Sequence, residues 1–354
     1  MAGSGDAESL ESSRDIAPEA VDQASCQPTT EPELHDIQLR YKVAAPTFKT
    51  LCMMPRSPDR REVLHRACMA IEFRSFPMRQ AERAFFREIN DHSPIPYPVR
   101  ENVSEPWHKV FLLVQVDLQK MGWPKKISAD TRRSLHQERG RIYTLLDRLL
   151  RCVADILGQR RDGRGVNVAL DVLRSVDAGV WEGSDKELLQ VSGIGPAKMD
   201  RLVKAGIKSV KQLARLEFYH IERLLSRNPP FGHEMLHRLS GFPRLRLRFE
   251  LVGEHPAPPT AGSAAPGQPL LIARLVLGYE NDDKPSWNEK APWTTLVIEG
   301  ESGKLLWFWR GSVRRLDGGK ELVVGLAARK GEQLKVAFAC EKVVGTMIRS
   351  SHEA

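Results

Sequence analysis

Residues 188–199 read Leu-Leu-Gln-Val-Ser-Gly-Ile-Gly-Pro-Ala-Lys-Met, and residues 202–210 continue with Leu-Val-Lys-Ala-Gly-Ile-Lys-Ser-Val. An apolar helical segment, a Gly-Ile-Gly-Pro turn and a second apolar helix are the pattern of a helix-hairpin-helix. Gly193 and Gly195 allow a positive φ and carry no side chain, so a phosphate could approach the backbone N–H groups. These N–H groups would lie at the start of the next helix, where they are unpaired and the helix dipole is positive. Pro196 suits the first helical turn, because its missing N–H is not needed there.

The turn has two interpretations. In the first, it contacts nucleic-acid phosphates without reading the bases, and nearby lysine and arginine side chains add positive charge. In the second, the glycines serve only close packing of two helices, and the turn binds no ligand. The residues of this unit that the first interpretation assigns to nucleic-acid binding are Gly193, Ile194, Gly195, Lys198, Arg201 and Lys204.

The residues before this unit predict a helical bundle over 41–180, and the hairpin unit itself is expected to span 181–241. The clearest helix is 141–157, in which Ile142, Leu149 and Ile156 belong to one apolar stripe. A further helix over 166–178 is expected to end near Gly179. Three arginines beside the stripe are candidate phosphate contacts: Arg141, Arg148 and Arg151.

After the hairpin unit the hydrophobic period changes from helical to two. Leu245, Leu247 and Phe249 alternate with arginines, which predicts a strand with one buried face. A loop rich in proline, glycine and alanine follows over 255–268. Short strand-like runs then alternate with glycine-containing turns, over 270–278, 294–298, 304–310, 321–326 and 333–340. This spacing predicts a β-sandwich of immunoglobulin or fibronectin type III over 242–350. The fold class is thus multidomain, α then β: helical bundle, helix-hairpin-helix, β-sandwich.

The charge is distributed unevenly along the chain. Residues 1–36 contain nine acidic residues and one basic residue, although the net charge of the whole chain is +8. Because residues 1–40 also contain few large apolar side chains, we expect them to form a disordered acidic tail. The strongly basic remainder favours a polyanionic partner, of which nucleic acid is the commonest.

Several kinds of site are disfavoured by the sequence. The five cysteines lack the spacing of a zinc site or a disulfide framework. His233-Glu234-Met235-Leu236-His237 formally matches a metalloprotease motif, but no third ligand is evident, so we expect no metal. Trp307 and Trp309 could form a base-stacking platform, yet their alternation favours a place in the sandwich core.

The sequence has neither a Gly-x-x-x-x-Gly-Lys-Ser/Thr phosphate loop nor an Asp-Glu box for magnesium. It also has no evident nucleophile triad or paired-carboxylate site. We therefore expect the chain to be no enzyme and to need no cofactor. The acidic N-terminus does not resemble a signal peptide, and no apolar run could cross a bilayer, so we expect no membrane partner.

This order of elements resembles the Sec63-type unit that lies behind the motor of Ski-two-like DNA helicases. It is most similar to the meiotic crossover-promoting ATP-dependent DNA helicases, from about Tyr41 to Val344, and 41–54 resembles the end of a winged-helix domain. The stretches that carry the resemblance, besides the Gly-Ile-Gly-Pro turn, are Glu-Phe-Arg (72–74), Arg-Gln-Ala-Glu-Arg (79–83), Arg-Glu-Ile-Asn (87–90), Trp-His-Lys-Val-Phe-Leu-Leu-Val-Gln (107–115), Arg-Ile-Tyr (141–143), Leu-Leu-Arg-Cys (149–152) and Asn-Pro-Pro-Phe-Gly (228–232).

The resemblance implies a nuclear accessory module that guides single-stranded or branched DNA during recombination. The two motor domains of such helicases are expected to be absent from this chain, so any ATPase activity of the family does not carry over. A helicase motor or a recombination or repair protein would then be a partner. An alternative function is a protein-docking scaffold for a recombination, repair or RNA-processing complex, in which the hairpin would be structural.

Overall fold

The computed structural model describes residues 31–125, 127–255 and 270–354 of the 354-residue chain. Within these residues, helices come first and strands follow, which confirms the predicted α-then-β order. The helices are α1 (Glu31–Tyr41), α2 (Ala45–Cys52), α3 (Arg60–Cys68), α4 (Gln80–His92), α5 (Pro106–Leu118), α6 (Ala129–Gln159), α7 (Gly163–Ala178), α8 (Pro196–Lys204), α9 (Val210–Leu213), α10 (Phe218–Leu225) and α11 (Phe231–Ser240). The strands are β1 (Leu245–His255), β2 (Leu270–Tyr279), β3 (Trp293–Glu299), β4 (Leu305–Ser312), β5 (Lys320–Leu326), β6 (Gln333–Cys340) and β7 (Ile348–Glu353).

Helix α6 is the longest element of the bundle. Its 31 residues extend for about 46 Å at 1.5 Å per residue. The apolar stripe predicted only 141–157, because residues 129–140 are mostly polar and bury Leu135 alone. The helix instead begins where the hydroxyl of Ser128 accepts a hydrogen bond from the N–H of Thr131. Helix α7 packs along α6 and ends, as expected, before Gly179, which has a φ of +68°.

Helix α1 begins inside the segment that was expected to be disordered. Ile37 is only 3% exposed and belongs to the same apolar core as α6 and α7. The Tyr41 hydroxyl also donates to the Asp155 carboxylate at 2.7 Å. The ordered chain therefore starts no later than Glu31 rather than at 41. A few apolar side chains are enough to stabilise α1 because they pack against α6. Residues 1–30 of the expected tail lie outside the described residues.

The strands form two antiparallel sheets, ordered β1-β2-β5 and β4-β3-β6-β7. Leu275 of the first sheet and Leu296 and Phe338 of the second lie in one apolar core. Strand β7 was missed by the sequence pattern, because Ile-Arg-Ser-Ser-His-Glu has a single large apolar residue. Trp309 is 6% exposed in this core and Trp307 packs against it, so the core interpretation of these tryptophans is confirmed.

A buried ion network joins the bundle to the sheets. The guanidinium of Arg310 on β4 contacts Asp155 of α6 at 2.9 Å and Glu341 at 2.6 Å. Glu341 also pairs with Arg151 at 3.0 Å. Because these carboxylates are nearly inaccessible to water, each depends on its arginine partners for compensation of its charge. The network therefore fixes how the sheets sit against α6.

Candidate nucleic-acid interface

The Gly-Ile-Gly-Pro turn is anchored to the protein core by buried apolar side chains. Leu188 before the turn, Ile194 within it and Leu202 of α8 all belong to the core that continues into the sheets. Gly193 has a φ of +88°, which favours glycine. Gly195 has a φ of −100°, so the expectation that both glycines serve a positive φ holds for Gly193 alone. A Cβ added to Gly195 would meet no atom within 4 Å, so its surroundings leave open space in front of α8.

The backbone of the turn presents unpaired donors. The N–H of Ile194 donates to the carbonyl of Val191 at 3.1 Å, and the Gly195 carbonyl accepts from Lys198 and Met199. The N–H groups of Gly193 and Gly195 have no acceptor among the described residues. Both glycines are exposed. Two free N–H groups, one at the N-cap of the nine-residue helix α8 and one two residues before it, are able to bind an anion.

Three cationic side chains surround this turn and are called here the hairpin cation cluster: Lys198, Arg227 and Arg238. The Lys198 amine donates to the Gly193 carbonyl at 2.6 Å and lies 4.6 Å from the centroid of the Phe231 ring. Burial, and then the charges of Arg227 and Arg238, lower the pKa of Lys198. The cluster therefore gathers like charges that a bound anion would relieve.

Two members of this cluster, Arg227 and Arg238, are not indicated by any sequence motif. Arg227 ends the helical segment before the double proline, and its guanidinium lies 5.8 Å from the Phe231 ring centroid. Arg238 lies on α11, donates to the Ser192 carbonyl at 3.4 Å and has Glu234 at 3.8 Å. No local pattern links these positions with the turn, because folding of α10 and α11 brings them there. The only available signal was the proximity of Arg227 to the Asn-Pro-Pro-Phe motif.

The other predicted contacts have different surroundings. Arg201 is exposed and donates to the Leu225 carbonyl at 3.2 Å, and Lys204 is exposed in the last turn of α8. On α6, Arg141 is exposed and lies 5.2 Å from the centroid of the Phe76 ring. Arg148 is half-buried, and Arg151 is held by Glu341 in the ion network. Within the described parts of the chain, no hydrogen bond or ion pair joins these three α6 arginines to the hairpin.

His233 and His237 are exposed on α11, and the His233 ring lies 3.9 Å from that of Phe218. Among the residues that the structure describes, no three histidine, cysteine or acidic side chains are grouped so as to hold a metal ion. In the same residues, none of the helices is both long and apolar enough to cross a membrane.

The Sec63 Brl domain family matches residues 33–352 of the chain, which confirms the resemblance drawn from the sequence motifs. The ATP-dependent DNA helicase MER3 of Saccharomyces cerevisiae is 24% identical over 317 residues, which cover 86% of this chain and 26% of the helicase. The ATP-dependent DNA helicase homolog MER3 of Arabidopsis thaliana is 21% identical over 282 residues, which cover 77% of this chain and 23% of the homolog. The probable ATP-dependent DNA helicase HFM1 of Xenopus tropicalis is 22% identical over 221 residues, which cover 61% of this chain and 16% of the helicase. The chain therefore spans about a quarter or less of the length of these relatives.

Proposed function

This chain belongs to the Sec63 Brl domain family, and from that premise we propose that it is a nucleic-acid-binding accessory module of a meiotic-type DNA helicase. Its ligand is single-stranded or branched DNA, and its place is the nucleus, in recombination that leads to crossovers. The names of the related helicases support the DNA ligand. ATP hydrolysis would come from a motor, because the present sequence lacks the phosphate loop and the Asp-Glu box.

The observation that carries this proposal is the geometry of the hairpin. The N–H groups of Gly193 and Gly195 are free, open space surrounds Gly195 at the start of α8, and the hairpin cation cluster lies beside the turn. Backbone donors and flexible cations contact phosphates but do not distinguish bases. The hairpin would therefore hold a strand irrespective of its sequence, as a module that accompanies a translocating motor must do.

A second candidate function is supported by exposed apolar side chains on the three-stranded sheet. Val252 of β1 and Val323 of β5 are each 64% exposed, and Leu251 is 37% exposed. Such side chains are expected where a protein partner docks. In this alternative the chain is a docking scaffold for a recombination, repair or RNA-processing complex, and the hairpin cations contribute only to solubility.

The substitution Lys198→Ala distinguishes the two functions. If the hairpin contacts phosphate, the variant binds all single-stranded oligonucleotides more weakly, and the slope of log K against log salt falls by about 0.7. Fluorescence anisotropy over a salt series measures both quantities. Lys198→Arg, which keeps the charge, should retain most of the affinity.

The matched control is Lys330→Ala, which removes an exposed lysine from the turn between β5 and β6. It should leave affinity and slope close to those of the unaltered chain. If Lys198→Ala melts normally and its slope of log K against log salt is unchanged, the docking scaffold becomes the better-supported function.

A further inference from the structure

A second cationic pocket lies in the helical bundle, where the ends of α5 and α7 meet the middle of α6. Its volume is about 440 Å³, which is within the range of small-molecule sites. Lys120, just after α5, and His136 and Arg139, on α6, line it together with Asp177 and Gly179 at the end of α7. None of these residues belongs to the hairpin or is used in the proposed function.

Lys120 occupies a backbone conformation that does not favour lysine. Its φ is +55°, and its N–H donates to the Asp117 carbonyl at 3.1 Å to close the end of α5. Glycine or asparagine is preferred at such a position, and another residue costs about 1 kcal/mol. The amine at the end of this side chain lies against the end of α7, 3.0 Å from the position that a Cβ on Gly179 would take, and it forms no ion pair with a carboxylate among the described residues. Local backbone geometry therefore gives no reason for a lysine here.

Arg139 is held rigidly at the same pocket. Its Nε donates to Asp117 at 2.6 Å, and the Tyr143 hydroxyl donates to the same carboxylate oxygen at 2.9 Å. The indole of Trp123 donates to the other oxygen at 2.7 Å. The guanidinium also interacts with the Tyr143 hydroxyl, but the Arg139 side chain is 43% exposed, so its outer edge is accessible to a ligand.

Lys120 and Arg139 are close enough to repel each other. Burial lowers the pKa of Lys120 and the charge of Arg139 lowers it further, while the nearby Asp117 carboxylate offsets part of this shift. Asp177, the acidic residue of the pocket lining, already pairs with Lys342. Its pKa is raised to about 7 by burial and by Asp147, and Lys342 lies 3.2 Å from it.

We propose that this pocket binds a phosphate group between the amine of Lys120 and the guanidinium of Arg139. An ammonium and a planar guanidinium fork are the side chains that proteins use most for phosphate oxygens. His136, stacked on Trp123 at 4.3 Å, supplies a further polar edge. The phosphate belongs either to a free phosphate compound or to a nucleic-acid backbone, and both present the same chemistry to the pocket.

The test replaces Lys120 by asparagine, which tolerates a positive φ and carries no charge. The matched control is Lys42→Asn, because Lys42 likewise has a positive φ, of +48°, and lies exposed on the surface. Its neighbour Arg40 contacts Asp155, which lies 16 residues beyond Arg139 on α6, or about 24 Å along the helix. Both variants are made in the Lys198→Ala background, so that the hairpin contributes little to binding. Lys120→Gly serves as a second variant if the asparagine form does not fold.

Two measurements are made on each protein: the melting midpoint with and without inorganic phosphate at constant ionic strength, and single-stranded oligonucleotide affinity over a salt series. A free-phosphate site predicts a phosphate-induced rise in the midpoint that Lys42→Asn keeps and Lys120→Asn loses. A backbone-phosphate site predicts no such rise, but a salt slope that is lower by about 0.7 in Lys120→Asn alone.

The proposal is overturned if the two variants respond alike to both probes. It is also overturned if Lys120→Asn melts clearly below Lys42→Asn without ligand, because Lys120 would then act as a structural contact to the end of α7. The phosphate site instead predicts that removing the lysine relieves backbone strain, so the midpoint stays level or rises.

Discussion

Gly195→Asp separates binding at the hairpin from folding of the hairpin. Residue 195 is the N-cap of α8, its φ is −100°, and a Cβ there meets no atom within 4 Å. Aspartate is among the preferred N-cap residues, and its charge suits the positive end of the helix dipole. The substitution should therefore leave the fold intact or slightly more stable, while it places a carboxylate where phosphate would bind.

The size of the binding defect follows from simple electrostatics. Two like charges 4 Å apart repel by about 1 kcal/mol in the dielectric of water, which corresponds to roughly a fivefold rise in Kd. Partial burial of the contact would increase the repulsion. Gly195→Asn is the matched control, because it has the same shape and an equally good capping group but no charge. It should lose less affinity than the aspartate variant.

Gly193→Ala should lower the stability of the fold, which Gly195→Asp should not. Alanine at a φ of +88° costs about 1 to 2 kcal/mol, so the melting midpoint falls by several degrees. Differential scanning calorimetry and oligonucleotide anisotropy on the three variants give the comparison. The reasoning fails if Gly195→Asp melts as low as Gly193→Ala, or if it melts normally and binds DNA as well as Gly195→Asn.

Two further predictions concern the packing of the bundle against the sheets. Arg310→Ala leaves Asp155 and Glu341 without their shared partner and should destabilise the chain by about 3 to 5 kcal/mol in urea unfolding, whereas Lys330→Ala should have little effect. The pKa of Asp177 is raised to about 7 in the folded chain, so between about pH 4 and pH 7 the folded chain binds a proton that the unfolded chain has lost. The free energy of unfolding therefore falls as the pH rises from about 4 to about 7. Asp177→Asn should therefore be more stable than the unaltered chain at about pH 8 and lose that advantage near pH 4; equal differences at both pH values would contradict it.

Sequence patterns were sufficient where the structure is determined by nearby residues. The strands β2 to β6 fall within two residues of their predicted limits, because apolar alternation and glycine turns are local signals. The turn at Gly193 and the end of α7 at Gly179 were found for the same reason. Strand β7 and the first twelve residues of α6 were missed because both are polar and depend on partners far away in the chain.

The candidate binding residues divide along the same line. Lys198 could be found because it lies three residues from the glycine turn, whereas Arg227 and Arg238 reach that turn only through the packing of α10 and α11. Arg151 is the opposite case. The helical pattern places it beside the apolar stripe as a candidate phosphate contact, but in the structure it pairs with Glu341, which is 190 residues away in the sequence. A basic residue counts as a candidate phosphate contact only when the fold leaves its charge uncompensated. By that criterion Lys120, which no motif indicates, is a stronger candidate than Arg151, which the amphipathic pattern put forward.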